Sequence, residues 1–338
     1  MKKIYLRDIA SELKLSKTAV SLVLNNRGDE NKISKETQKR ILDFAREHKY
    51  RPNQMARGLS LGKSETIGLI VPNISDVFYA NVAHHIELKA KALGYNVVFS
   101  SSHEDPRIEG ELISSMLNRQ VDGLIIASTQ CNTEDILELK KAGFPFVLFD
   151  RHYPDIATNY VVVDNMGGTR NMTEHLLKNG RQKIGFISIK SELHALQQRR
   201  LGYERALDEK DLKLNREWIW ELDPFRYHGQ MQEAIRGMVN DYGVDAIVFT
   251  THYLAASGLR ELKKLRVKVP QEVAMVSFDE MGAFDLVDPP ITTTKQPVDA
   301  IGHLAVEILV QDMEKRKERI GHKQVLNTEL LIRSSCGT

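Results

Sequence analysis

From Thr66 onward the chain alternates between short apolar runs and longer amphipathic stretches, and it does so twice. The runs Ile67–Val71, Val97–Ser100, Gly123–Ala127, Pro145–Phe149 and Val161–Val163 have strand length and strand composition. Helical periodicity falls between them near Val77–Leu93, Pro106–Arg119 and Thr133–Ala142. A second set places strands at Ile184–Ile189, Ala246–Thr250 and Val273–Phe278, with helices near Gly167–Asn179, Leu193–Glu209, Gly229–Asn240 and Tyr253–Leu265. Gly94, Gly143 and Gly180 each trail a helix, where a left-handed residue closes the last turn. Such alternation requires right-handed crossovers, parallel sheets and helices on both faces. Two sets predict two doubly wound lobes in an α/β fold. Ligands of such sheets bind beyond the carboxyl ends of the strands, which places a site in the cleft between lobes.

The alternation breaks at Asp288-Pro289-Pro290 and Ile291–Lys295. A long helix, Val298–Lys317, and a last strand near Lys323–Ile332 then carry the chain back between lobes. The expected core, 64–338, thus divides into an N-subdomain of about 64–162 and 292–322 and a C-subdomain of about 163–291 and 323–338.

Residues 1–49 have a different grammar. Leu6, Ile9, Ala10 and Leu13 lie on one face of a two-turn helix. After a break at Lys14-Leu15, Ser16 stands where an N-cap belongs, and Ala19, Val20, Val23 and Leu24 form the apolar face of a second helix. A third helix at about Ser34–His48 turns Ile41, Phe44 and Ala45 inward. Two short helices crossing at small residues read as a helix-turn-helix, although any small helical hairpin shares the pattern. Charge favours the nucleic-acid reading. Residues 1–63 hold 15 Lys and Arg against 7 Asp and Glu, net +8, whereas residues 64–338 hold 32 against 38, net −6. A basic head on an acidic body suits contact with phosphate.

The segment 50–63 joins the two parts. Pro52 stops the third helix at Tyr50, and Asn53 can cap a short helix, Gln54–Leu59. The segment reads either as a flexible linker or as a helix that orders on docking.

At 338 residues, 42% hydrophobic and 27% charged, the chain has room for a head and two lobes, and global disorder is excluded. No apolar run spans a membrane and no signal-like core follows the N-terminus, so a cytoplasmic protein is expected. Cys131 and Cys336 lack partner motifs and are expected to be reduced. No phosphate loop, CxxC or HExxH is present, so no cofactor, metal or catalytic residue is assigned.

The stretches LRDIASELKLSKTAVSLVLN, YRPNQMARGL, TIGLIVPNISDVFYANV, VDGLIIAS, VLFDR, VVVDN, KIGFIS with RRLGYERAL, VAMVSFDE and ITTTKQP, in this order, resemble the LacI/GalR family of bacterial transcription regulators over essentially the whole chain. The resemblance implies two lobes of periplasmic-binding-protein type. It also implies a homodimer whose heads enter successive major grooves of a near-palindromic operator. Base reading then falls on Lys17 and Thr18, with Leu22 one turn on. Lysine suits guanine O6 and N7, whereas Leu22 departs from the arginine of some members and can offer only an apolar contact. Ser16, Ser21 and Asn25 match phosphate-contacting positions. In the hinge, Asn53, Ala56 and Arg57 join the DNA contacts, and Leu59 matches the leucine that wedges into the central base step.

For the small-molecule effector the resemblance implies Asp76, Phe78 and Tyr79 after the first strand, Asp150 and Arg151 after the fourth, and Arg199 and Asp279 from the second lobe. Aromatic faces with carboxylates and arginines suit a sugar or sugar derivative, and the same arginines could clamp a phosphate or carboxylate. Two departures stand out. Thr251-His252 replaces the Asn-Asp of many members, and Asp223-Pro224-Phe225 places proline near a usual stacking aromatic, leaving Phe225 or Tyr227 as substitutes. The expected function is a ligand-controlled transcription regulator, a repressor of carbohydrate-use genes. The alternatives are a sugar-binding receptor without an operator and an enzyme, but no nucleophile–base pair supports the latter.

Overall fold

The computed structural model describes residues 4–50, 63–314 and 321–337. It falls into two compact units, Met1–Ser64 and Glu65–Thr338. The hinge candidates Asn53, Ala56, Arg57 and Leu59 lie outside the described residues.

Among its described residues the first unit holds three helices, α1 (Leu6–Glu12), α2 (Lys17–Leu24) and α3 (Lys35–Glu47). Each start is capped locally. The Asp8 carboxylate accepts from the Tyr5 N–H at 2.8 Å, and Ser16 and Ser34 hydroxyls accept from the Ala19 and Thr37 N–H at 3.1 and 3.2 Å. Such caps stabilise short helices by about 1 kcal/mol each. Lys14 takes φ +54° and turns the chain between α1 and α2. Ile9, Ala10, Val20, Val23 and Ile41 close a small core, with Leu6, Leu13, Leu24 and Phe44 packed against it.

The second unit contains two six-stranded sheets. The first is built from β1 (Thr66–Val71), β2 (Asn96–Ser101), β3 (Gly123–Ile126), β4 (Phe146–Phe149), β5 (Tyr160–Val163) and β11 (Lys323–Leu326), in the spatial order β11-β5-β4-β3-β1-β2. Strand side chains alternate between faces. Ile67, Leu69 and Val71 therefore meet α4 (Val77–Ala92) and α11 (Val298–Glu314), while Ile70 joins α5 (Pro106–Asn118) and α6 (Thr133–Ala142). The second sheet, β12-β10-β9-β8-β6-β7, comprises β6 (Ile184–Ile189), β7 (Ile219–Leu222), β8 (Ala246–Phe249), β9 (Ala274–Phe278), β10 (Thr292–Lys295) and β12 (Glu329–Leu331). Helices α7 (Asn165–Lys178) and α8 (His194–Asp208) cover one face, α9 (Tyr227–Arg236) and α10 (His252–Lys264) the other. Among the described residues every strand pair is parallel except β10 with β12. Gly94, Gly143 and Gly180 have φ of +86°, +62° and +84° at helix ends. At Gly202 a Cβ would stand 2.2 Å from the Met166 carbonyl oxygen, so glycine is what lets α7 and α8 approach so closely.

Three details differ from the sequence reading. Thr292–Lys295 does not belong with the first lobe: it lies parallel to β9, Thr292 opposite Val276, with its first three threonines buried in the second core. The segment Lys323–Ile332 is two strands on two sheets, since Lys323 pairs with Tyr160 in the first and Glu329 with Lys295 in the second. The chain thus crosses between lobes after β5, after β10 and after β11. Finally, β7 carries no continuous apolar run: it is an edge strand, and only Leu222 of its residues is buried.

Candidate functional sites: a recognition helix and an interlobe cleft

On α2, Val20 and Val23 are buried and Lys17 and Thr18 are exposed at its first turn. Leu22 and Ser21 are half-buried beside them. Two expected phosphate contacts have internal duties. Ser16 caps the helix start, and the Asn25 amide donates to the Ser21 carbonyl at 2.8 Å, closing its end. Their positions remain on the outer edge of α2, and their side chains fix its two ends.

In the second unit, the loops leaving the carboxyl ends of both sheets meet. Asp76 caps α4, its carboxylate accepting from the Phe78 N–H at 2.9 Å. Phe78 and Tyr79 follow, both largely buried, and the Tyr79 hydroxyl donates to Asp150 at 2.6 Å. Asp150 follows β4 in the left-handed region, φ +62°. Arg151 then forms a fork with Glu104, both bonds 2.7 Å, and lies 3.4 Å from Asp150. Burial pushes the Asp150 carboxyl up, against the pull of Arg151 and the Tyr79 hydroxyl, and burial likewise raises the Tyr79 phenol well above its usual range.

The second lobe repeats the device. Asp279 follows β9 at φ +71°. Its carboxylate accepts from the Gln296 amide at 2.6 Å and lies 3.6 Å from Arg199. Arg199 is buried. Its guanidinium stacks on the Phe278 ring at 3.7 Å and donates to Asn165 at 2.8 Å and to the Thr250 carbonyl at 2.6 Å. Thr251 caps α10 without a side-chain cap bond, and the next residue, His252, reaches across the cleft to within 3.7 Å of Asp76. Burial raises the Asp76 carboxyl, and the facing His252 opposes the rise.

The structure therefore brings Asp76, Tyr79, Asp150, Arg151, Arg199 and Asp279 to one cleft, with Phe78 and Thr251 at its walls. It does not bring Phe225. The Asp223 carboxylate accepts from the Phe225 N–H at 2.8 Å in a tight turn that leaves the ring 92% exposed. Tyr227 is the aromatic that packs inward, 5.4 Å from Tyr253, which in turn lies edge-on to His252. Glu104, Asn165, His252 and Gln296 were missed as site residues. Only His252 carried a sequence signal, as a departure from the family pattern.

Comparison with known proteins settles the class. Residues 5–53 match the family described as bacterial regulatory proteins, lacI family, and residues 64–332 match periplasmic binding proteins and sugar binding domain of LacI family. The chain belongs to the LacI family. It is a DNA-binding transcription regulator with a core of the sugar-binding type. Catabolite control protein A of Priestia megaterium is 31% identical over 309 residues, 91% of this chain and 92% of its own. The HTH-type transcriptional regulator RegA of Clostridium saccharobutylicum is 29% identical over 335 residues, 98% of both chains. A protein of Alkaliphilus metalliredigens described as a periplasmic binding protein/LacI transcriptional regulator, in complex with D-xylulofuranose, superimposes with TM-score 0.68 and 27% identity, covering 80% of this chain and 98% of that one. These relatives are regulators. Among the described residues of this LacI-family chain, no group of His, Cys, Asp and Glu is placed to hold a metal, and no helix is long and apolar enough to cross a membrane.

Proposed function

We propose that this LacI-family regulator acts in the cytoplasm as a homodimeric repressor of carbohydrate-use genes, without enzymatic activity, and that a sugar or sugar derivative bound between the lobes controls its operator affinity. Lys17 and Thr18 read base edges, Leu22 makes an apolar contact to a thymine methyl, and Ser16, Ser21 and Asn25 position the helix on phosphates. Asn53, Ala56, Arg57 and Leu59 complete the DNA contacts in the minor groove. The observation that carries the effector assignment is the convergence of Asp76 and His252 with Arg199, Asp279 and Gln296 at the carboxyl ends of both sheets. A ligand touching both walls binds the closed arrangement best and so biases the lobes. The complex of the A. metalliredigens protein with D-xylulofuranose supports a carbohydrate as the ligand class.

The test is selection from random DNA by the full-length protein at near-physiological salt, with and without a mixture of sugars. Enrichment of a near-palindrome whose binding changes with sugar is expected. Lys17→Ala should relax one base pair per half-site, a loss of about 1–3 kcal/mol of discrimination. Absence of an enriched site under both conditions refutes the operator reading.

A further inference from the structure

Resting on the assignment of the cleft as the effector site, the hydrogen-bonding groups there also select the charge of the effector. The two arginines that suggest a phosphate clamp are already engaged. Arg151 holds Glu104 through a fork, the Ser128 carbonyl at 3.3 Å and Asp150. Arg199 donates from Nε to Asn165 and from Nη1 to the Thr250 carbonyl, and the same Nη1 faces Asp279, so two of its three nitrogens are committed and no free fork remains. Around these guanidiniums stand four carboxylates, Asp76, Glu104, Asp150 and Asp279. An incoming anion meets an acidic surplus in a desolvated place, where like charge is costly.

The unmet groups point the same way. Gln296 is 3% exposed, and its Nε2 donates to Asp279. That bond fixes the orientation of the amide, because a carboxylate accepts only, and leaves Oε1 buried without a partner. His252 is 7% exposed with Nε2 toward Asp76 and Nδ1 unpartnered. Carboxylate oxygens and an amide oxygen call for donors. A hydroxyl supplies a donor and an acceptor, whereas a phosphate dianion or carboxylate supplies acceptors and charge.

We propose that the effector is an uncharged polyhydroxylated molecule, a free sugar and not a sugar phosphate or sugar acid, whose hydroxyls donate to Gln296 Oε1 and to the cleft carboxylates. His252 Nδ1 takes one further hydroxyl.

The experiment is thermal unfolding of the full-length protein with two matched mixtures. One holds neutral mono- and disaccharides, the other monosaccharide phosphates and uronic acids. The neutral mixture should raise Tm by a few °C at saturating concentration. That rise should be unchanged between about 0.05 and about 0.5 M NaCl, because no net charge is buried. The charged mixture should give no rise. Gln296→Leu should cut apparent affinity for the neutral mixture roughly 10-fold or more, since a paired hydroxyl loses its acceptor. A rise with the charged mixture equal to or above the neutral one overturns this proposal and leaves the cleft assignment standing. An undiminished neutral response in Gln296→Leu also overturns it. No response to either mixture overturns both the carbohydrate reading and this inference. If Gln296→Leu does not fold, the wild-type comparison of mixtures still decides.

Discussion

The two lobes end a central strand in the same way and then diverge. In each, a buried phenylalanine closes the strand and an aspartate follows at positive φ, Phe149-Asp150 at +62° and Phe278-Asp279 at +71°. Each aspartate sits beside an arginine. In the first lobe the arginine is the next residue, and the set Tyr79–Asp150–Arg151–Glu104 is satisfied within that lobe. In the second lobe the arginine comes from a helix 80 positions earlier, Arg199 on α8, and the set keeps an unpartnered amide oxygen at Gln296. The same backbone device thus makes a finished wall on one side and an unfinished one on the other. Finished polar networks rigidify, and unfinished ones await a partner.

The sharpest way to break this contrast is Arg151→Met. It leaves Asp150 buried without its cation and should destabilise the second unit by about 3–5 kcal/mol in urea unfolding. A loss under 1 kcal/mol would show that the first wall is not held by this network. Next comes Tyr79→Phe, which removes one hydroxyl donated to a buried carboxylate. About 1.5–3 kcal/mol should be lost in urea unfolding. Gln296→Leu removes the donor to Asp279 but also the unpartnered Oε1, so the stability change is smaller, about 1 kcal/mol, while effector affinity measured by calorimetry falls clearly. Equal stability losses at Tyr79 and Gln296 would erase the distinction between walls.

The smallest effect concerns pH. The Asp76 carboxyl is raised in the folded protein by burial. A raised acid favours the folded state while protonated, and that contribution is lost as pH rises through the folded value. Asp76→Asn keeps the helix cap, since asparagine caps as well as aspartate. The variant should therefore melt slightly higher than wild type at pH 7 and show no advantage near pH 3, by scanning calorimetry across pH.

Much of this architecture was legible beforehand for local reasons. Strand runs, capping residues and C′ glycines are written in contiguous residues, and Ser16, Gly94 and Gly143 act where their chemistry places them. What was illegible depends on distant partners. Nothing near Thr292 states that it will lie against Val276, and nothing near Lys323 states that it will pair with Tyr160. Gln296 and Asn165 look like ordinary amides until Asp279 and Arg199 are folded beside them. Tyr227 and Phe225 differ by two positions, and a single turn at Asp223 decides which ring packs inward.

The late return of β11 to the first sheet orders events during synthesis. The head residues, 4–50, are complete before any strand of the core leaves the ribosome. The first sheet, begun at Thr66, lacks its edge strand until Leu326 has been added. At about 5–20 residues per second, on the order of 15–60 s separate a finished head from a closed sheet. A nascent chain therefore carries its DNA-reading surface well before it carries a complete sensor, and a message broken late in the gene encodes an address without a switch.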